Sequence, residues 1–259
     1  MRWHSLQHAP FEGPGYLEKW ARDRRFALTC TELWRGCQLP EVRLFEGLFV
    51  LGGPMNADEH AKYPWLATEK QFIAQAISAK KLVVGICLGA QLISIALGGS
   101  VTKNRHREIG WFPVQLTPEG RKSSLWKRGC KEFMALHWHG DRLAIPPRAV
   151  RLARSNACEE QAFIHDGCVV GLQFHLEVTS SGLEALIENC PPDARGEPFV
   201  QGPADIQALA RHIPRSNRML AALLDGLCSS VGALALGPSG QQSNQSELSR
   251  YMELFVTNS

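Results

Sequence analysis

The sequence of 259 residues predicts an α/β fold, a three-layer sandwich in which helices cover both faces of a mostly parallel central sheet. Two observations support this prediction. Short apolar runs alternate with helix-like runs from residue 1 to residue 98, and such alternation favours parallel strands joined by right-handed crossovers. In addition, a buried strand at 82–86 leads directly into an apolar helix at 88–97, which ends at Gly98.

The composition indicates an ordinary globular protein. Hydrophobic residues make up 44% of the chain and charged residues 20%, which excludes disordered and fibrous classes. A formal net charge of +3 is too small to indicate nucleic-acid binding. The sequence shows no membrane-spanning run and no secretory signal, so we expect a cytoplasmic protein without a membrane partner.

Five elements are predicted before the strand at 82–86, and each has its own signal. Apolar and β-branched runs predict the strands, and apolar residues at helical spacing predict the helices. In order, they are a strand within 1–8, a helix that runs through Trp20, a strand at 25–31, a strand within 44–51 and a helix at 65–79.

The chain beyond residue 98 is predicted to be richer in short strands. The basic stretch at 101–107 is read as a solvated loop, with contact to an anionic substrate or partner as the alternative. A strand-like run follows at 108–117. Three further strands are predicted at 150–153, 161–165 and 168–174, the last two joined by a hairpin turn at Asp166-Gly167.

We divide the chain into one domain at 1–190, a C-terminal helical extension at 191–232 and a linker with a short amphipathic helix at 233–259. In the extension, Pro203 opens a helix that Pro214 is expected to end. The last segment carries an apolar stripe at helical spacing, formed by Leu248, Tyr251, Met252 and Phe255. It is expected to pack on its own domain or on a second subunit of a homodimer, with a disordered tail as the alternative.

Cys87 is the candidate nucleophile. It lies between the strand at 82–86 and the helix at 88–97, with Gly85 and Gly89 two residues to either side. This spacing is that of a nucleophile elbow, in which glycines allow close backbone packing at a sharp turn. The helix N-terminus favours the reactive thiolate. The other seven cysteines lack C-x-x-C spacing and are expected to be free structural thiols.

His175 is the best-placed base for this thiol. It follows an apolar strand, and Glu177 lies two residues further on, where a carboxylate can orient the imidazole. The glycine loop Gly52-Gly53-Pro54 also follows a strand, and loops at the carboxyl ends of neighbouring parallel strands meet in one crevice. We therefore expect the amides of Gly53 and Leu88 to form an oxyanion hole, the alternative being that the glycines form a simple turn.

These motifs together resemble the class I glutamine amidotransferase family, in its stand-alone, GMP-synthase-like form. The resemblance covers roughly residues 1–190 and implies a flavodoxin-like version of the sandwich. It places a Cys-His-Glu triad on Cys87, His175 and Glu177. Many members have proline between the histidine and the glutamate, where this chain has Leu176.

The resemblance also implies a set of substrate-binding residues. Glu108 and Gly110 belong to a segment that approaches the substrate amide, and His139, Gly140 and Asp141 offer groups to the two charged ends of glutamine. Gln91 lies one turn past the nucleophile and either helps to bind substrate or is simply a polar helix residue.

His137 and His139 form an alternative site to be weighed. Two histidines at i and i+2 on a strand point to one face and could bind a metal or act as the base. No cysteine or carboxylate lies near them at convincing ligand spacing. We therefore expect neither a metal ion nor an organic cofactor.

The sequence thus predicts an enzyme that hydrolyses the side-chain amide of glutamine, or a related γ-glutamyl group, through a γ-glutamyl thioester. The chain has no P-loop to activate an ammonia acceptor with ATP. Three alternatives therefore remain open. A separate synthetase partner uses the ammonia, the protein is a stand-alone γ-glutamyl peptide hydrolase, or it is a catalytically idle regulatory or binding subunit.

Overall fold

A computed structural model of the chain describes residues 1–126, 129–193 and 196–235. Within these ranges the protein has nine strands and seven α-helices. In chain order they are β1 (Arg2–Gln7), α1 (Tyr16–Asp23), β2 (Ala27–Glu32), β3 (Gly47–Val50), α2 (Trp65–Ser78), β4 (Leu82–Ile86), α3 (Leu88–Ala96), β5 (Val101–Leu116), α4 (Pro118–Lys122), β6 (Glu132–Leu143), β7 (Val150–Arg154), β8 (Ala162–His165), β9 (Val169–Leu172), α5 (Ser180–Asn189), α6 (Pro203–Ala208) and α7 (Ile213–Ala235).

All nine strands form one sheet in the order β2-β1-β3-β4-β9-β8-β7-β5-β6. The pairs from β2 to β9 are parallel, and the pairs from β9 to β6 are antiparallel. The predicted α/β class is confirmed, but the sheet is mixed. Parallel neighbours need a long crossover, whereas the two-residue turn at Asp166-Gly167 joins β8 to β9 as a hairpin.

Alternating side chains of β1 show how the two faces of the sheet are covered. Trp3 packs edge-to-face on Trp20 of α1, with ring centroids 5.3 Å apart. The next residue, His4, points to the other face and stacks on Phe45, which in turn contacts Phe72 of α2. Helices α1 and α2 therefore lie on opposite faces of the sheet.

Helix α7 covers the same face as α1. The indole N–H of Trp20 donates to Asp225 of α7 at 3.1 Å, and Arg24 pairs with the same carboxylate. On the other face α2 packs against α3. None of the described helices combines the length and apolarity that crossing a bilayer requires.

Strand β5 corrects the prediction of a solvated loop at 101–107. The whole segment from Val101 pairs with β6, although the register shifts between Lys103 and Glu108. A paired strand can still carry charges on its open side, and residues 101–107 are only exposed or half-buried. The basic residues therefore lie on a fixed edge of the sheet rather than on a mobile loop.

Pro214 does not end a helix. Helix α6 ends at Ala208, a 3₁₀ turn follows at Ala210–His212, and α7 begins at Ile213. Proline is well suited to a first helical turn, where its missing N–H would have had no partner. Helix α7 continues to Ala235, three residues into the predicted linker. The amphipathic stripe predicted from Leu248 to Phe255 lies outside the described residues.

Candidate active site

Cys87 occupies a strained turn between β4 and α3. Its backbone adopts φ 51° and ψ −109°, a conformation that side-chain-bearing residues rarely take. Its amide donates to the carbonyl of Leu172 in β9 at 2.7 Å, and the amide of Gly89 donates to Leu51 at 3.1 Å. The neighbouring strands therefore hold the elbow in place, as expected for a functional strained residue.

The two glycines of the elbow are required by close backbone approach. A Cβ on Gly85 would lie 2.6 Å from the backbone of Gly89. A Cβ on Gly89 would overlap the carbonyl oxygen of Val50 and lie 2.5 Å from the carbonyl carbon. Helix α3 can therefore pack against β3 only if residue 89 has no side chain.

His175 and Glu177 lie beside this elbow, in the segment after β9. The Nδ1–H group of His175 donates to Oε1 of Glu177 at 2.7 Å, which leaves Nε2 to face the thiol. Burial opposes the charged imidazole, but the charge of Glu177 and the contacts with Cys87 and Glu177 outweigh it, so the pKa of His175 lies well above its usual value. His175 is only 2% exposed.

A cleft of about 330 Å³ opens in front of these residues, and both Cys87 and His175 line it. The thiol of Cys87 lies 3.7 Å from the carbonyl oxygen of Trp138 and 3.7 Å from Nε2 of Gln173. The volume falls in the range of small-molecule sites.

Gly53 and Leu88 meet at the edge of the same cleft. A Cβ on Gly53 would lie 3.0 Å from Cδ2 of Leu88, and both residues line the cleft with Cys87. Leu88 is the first residue of α3, so its amide is one of the first-turn donors without an acceptor inside the helix. The two predicted oxyanion donors therefore lie on either side of the thiol.

The predicted substrate-binding residues divide into two groups. Gln91, His139, Gly140 and Asp141 line the cleft, and Nε2 of Gln91 donates to Oε1 of Gln173 at 3.3 Å. Glu108 and Gly110 do not line it. Gly110 has φ 120°, and its Cα faces Gln201.

Glu108 instead forms a buried network behind the cleft. It lies directly opposite His139 in the β5–β6 pair and is 1% exposed. Its Oε2 accepts hydrogen bonds from Oγ of Ser155 at 2.9 Å and from Nε2 of Gln161 at 2.6 Å. The same oxygen lies 3.4 Å from Nδ1 of His137 and 3.4 Å from Nε2 of His139. Burial raises the pKa of Glu108, but the two histidines outweigh it and hold the pKa below its usual value.

This cluster bears on the metal alternative. Among the described residues, Glu108, His137 and His139 are the set whose side chains could together hold a metal ion, with ligand atoms within 4.8 Å of one another. The carboxylate was not predicted from the sequence, because strand pairing rather than chain spacing brings it there. Since Ser155 and Gln161 already donate to the carboxylate oxygen that faces both rings, hydrogen bonds satisfy it without a cation.

Neither histidine of this cluster is placed to serve Cys87. Nδ1 of His139 donates to the carbonyl of Asp141 at 2.9 Å, and its Nε2 faces Glu108. His137 is fully buried and does not line the cleft, and burial lowers its pKa to about 4. The geometry therefore favours His175 as the partner of the thiol.

Three charged residues of the cleft were not singled out by the sequence analysis as site residues. Lys103 and Arg107 of β5 line it, and Lys103 pairs with Asp141 at 2.7 Å. Glu12, in the loop after β1, also lines it, and burial raises its pKa against the opposing charges of His175 and His8. The position of Glu12 just after a predicted strand was the signal that could have identified it.

We expect Cys87 to react first with limiting iodoacetamide at neutral pH, although it is only 7% exposed. Its position at a helix N-terminus beside an imidazole favours the thiolate. Burial raises the pKa of Cys158 to about 12 and that of Cys228 to about 11, so these thiols should be unreactive. Peptide mapping after partial labelling measures the order. Exposed Cys37 is the natural control, and its labelling ahead of Cys87 would contradict the prediction.

Comparisons with known proteins found relatives over most of the chain. The model of the family described as class I glutamine amidotransferase matches residues 28–190. The glutamine amidotransferase-like protein YfeJ of Salmonella typhimurium is 34% identical over 80% of this chain and 90% of its own length. A GMP synthase chain of Methanococcus aeolicus, named as a glutamine-hydrolysing enzyme's first subunit, is 30% identical over 59% of this chain and 77% of its own length.

Solved structures show the same fold. A glutamine amidotransferase from Methylobacillus flagellatus superposes with a TM-score of 0.81 at 29% identity, covering 88% of this chain and 94% of its own. Another, from Thermotoga maritima, superposes with a TM-score of 0.79 at 29% identity, covering 88% of this chain and 97% of its own.

Proposed function

Because the chain belongs to the class I glutamine amidotransferase family, we propose that it hydrolyses the side-chain amide of glutamine to glutamate and ammonia. One observation carries the proposal. The cysteine on the strained elbow and the hydrogen-bonded His175–Glu177 pair line the same cleft. No metal or organic cofactor is needed for this chemistry.

The reaction proceeds in two steps. The Cys87 thiolate attacks the amide carbon, and the amides of Gly53 and Leu88 stabilise the negative charge on its oxygen. The carbon–nitrogen bond then breaks as His175 protonates the leaving amine, which leaves a γ-glutamyl thioester on the sulfur. In the second step His175 takes a proton from water, and the resulting attack releases glutamate and restores the thiol. Glu177 keeps the imidazole oriented throughout.

The charges around the cleft suit the other end of glutamine. Lys103 and Arg107 on one edge favour an α-carboxylate, and the carboxylate of Asp141 favours an α-ammonium group. The side chain of Asp141 is only 13% exposed, so its charge is less screened than that of a surface carboxylate. The backbone of Gly140 lies between these groups and is proposed to complete the contact.

A second candidate is hydrolysis of a γ-glutamyl amide that is larger than glutamine. A cleft of about 400 Å³ adjoins the first, and Glu12 and His175 line both. Glutaminase chemistry releases only ammonia, whereas this space beyond His175 has room for a larger leaving amine. The likeness to glutamine-hydrolysing GMP synthase subunits instead favours a separate synthetase partner that uses the ammonia.

Assays of the purified protein distinguish these candidates. Glutaminase activity that is low alone and higher with a synthetase partner supports the amidotransferase. Faster release from γ-glutamyl peptides than from glutamine supports the hydrolase. The Cys87→Ala variant is the matched control, because it removes the nucleophile and should abolish either activity. If the protein and this variant are equally inactive on both substrate classes, the proposal is wrong and the chain is a catalytically idle subunit.

A further inference from the structure

A fully buried ion pair lies on the side of the glycine loop away from the cleft. His8 follows β1, Glu69 belongs to α2, and both side chains are 0% exposed. Nε2 of His8 lies 2.8 Å from Oε1 of Glu69, and Nδ1 lies 3.0 Å from the carbonyl oxygen of Gly52. Neither residue contacts the reacting thiol, so the mechanism above leaves this pair without a role.

The two contacts determine the protonation state of the ring. A backbone carbonyl and a carboxylate are both acceptors, so a ring that serves both donates from both nitrogens and is an imidazolium. Burial opposes that charge, but Glu69 outweighs it, and the pKa of His8 is raised above its usual value. Glu12 adds a second negative charge nearby. The buried cation is thus neutralised where it stands.

The orientation of one peptide group follows from this contact. The carbonyl of Gly52 and the amide of Gly53 belong to the same trans peptide, so they point in opposite directions. Because the carbonyl faces His8, the Gly53 N–H points away from it, and Gly53 itself lines the cleft beside Cys87. Two successive glycines impose little conformational preference of their own. Among the described residues, His8 provides the hydrogen bond that fixes this peptide.

The charge has a second effect. A hydrogen bond from a cation to a carbonyl polarises the peptide and makes its N–H a stronger donor. A fixed, polarised donor stabilises a developing oxyanion without reorganising during the reaction.

We propose that His8, held by Glu69, is a positioning residue that orients and polarises the Gly52–Gly53 peptide as an oxyanion donor. This rests on the oxyanion role of Gly53 in the proposed function. It predicts that His8 matters only for reactions of Cys87 that pass through a tetrahedral oxyanion. It does not matter for reactions of the same thiol that form no oxyanion.

Two reagents separate these cases without requiring the natural substrate. Acylation of Cys87 by p-nitrophenyl acetate forms a tetrahedral oxyanion, whereas alkylation by iodoacetamide is a direct displacement and forms none. Both rates are measured on the full-length protein after subtracting the background of the Cys87→Ala variant. His8→Ala should slow acylation by roughly 10²-fold, as for loss of one oxyanion donor, and leave alkylation within about twofold.

Conservative variants guard against simple misfolding. His8→Asn keeps a donor near the position of Nδ1 and should recover part of the acylation rate. Glu69→Gln removes the charge but can still hold the ring, so it should slow acylation by a smaller factor than His8→Ala. His4→Asn is the matched control, because His4 is a buried histidine on the same strand that contacts Thr29 and Thr31 instead of the loop. It should change neither rate.

The outcomes are distinct. Slower acylation with unchanged alkylation supports the proposal, even if neither glutamine nor a γ-glutamyl peptide is the natural substrate. An equal fall in both rates means that His8 only supports the fold, and unchanged acylation means that it does not act on the peptide. Either result overturns the proposal. A wild-type Cys87 that reacts with neither reagent overturns both this inference and the proposed function.

Discussion

Replacing His175 with alanine should lower the rate of amide hydrolysis by about four orders of magnitude or more. His175 acts as both acid and base, and the other histidine that lines the cleft, His139, has its ring nitrogens facing Asp141 and Glu108. The measurement is kcat and KM on whichever substrate proves active. KM should change little, because the imidazole contacts the reacting atoms rather than the charged end of the substrate.

Two further variants calibrate this result. Glu177→Gln should cost less, on the order of 10²-fold, because the base remains while its orientation and the stabilisation of its cation are weakened. His165→Ala is the control, since His165 lies at the far end of β8 beside the hairpin turn and should leave kcat unchanged. If the His175 variant stays active, the base is another residue, and His139 becomes the first to test.

Replacing Gly89 with alanine should destabilise the protein by about 3 kcal/mol or more, although alanine is the better helix former by about 1 kcal/mol. The added Cβ would overlap the carbonyl oxygen of Val50, a main-chain atom in the middle of the sheet that cannot move aside. For a protein of this size the melting temperature should fall by roughly 10 °C. Any remaining folded protein should have a displaced Cys87 and slower hydrolysis.

Gly202→Ala is the matched control for this substitution. Gly202 caps α6, and a Cβ there would meet only Oδ2 of Asp205 at the ordinary distance of 3.7 Å. Its melting temperature should fall by only a few degrees. If the Gly89 variant melts within about 2 °C of the unmodified protein, the elbow is looser than its geometry indicates, and the close packing of α3 on β3 does not fix the nucleophile.

Several features of this protein were determined by short stretches of sequence. Gly85, Cys87 and Gly89 lie within five residues, and the sharp turn depends on local backbone chemistry, so the elbow could be predicted without knowing the fold. His175 and Glu177 are two residues apart, and their hydrogen bond is correspondingly local. The alternation of apolar strands and helices up to residue 98 likewise predicted the parallel half of the sheet, because each crossover is a local unit.

The antiparallel half of the sheet shows where local reading fails. The charges of 101–107 suggested a loop, but a long partner strand, β6, supplies the hydrogen bonds that make it a strand. Pro214 suggested a helix end, but the geometry of the preceding turn makes it a helix beginning. In both cases the same residues are compatible with two local conformations, and a distant contact selects one.

The surroundings of the site were decided by tertiary structure alone. Glu108 reaches His139 because β5 and β6 pair in one particular register, and no spacing along the chain reveals that register. His8 and Glu69 are 61 residues apart and meet at Gly52 only because β1 and β3 are neighbours in the sheet, with α2 packed over them. Local sequence thus determined which residues can do the chemistry. Long-range pairing determined which charged and polar groups surround them, because burial and register exist only in the folded chain.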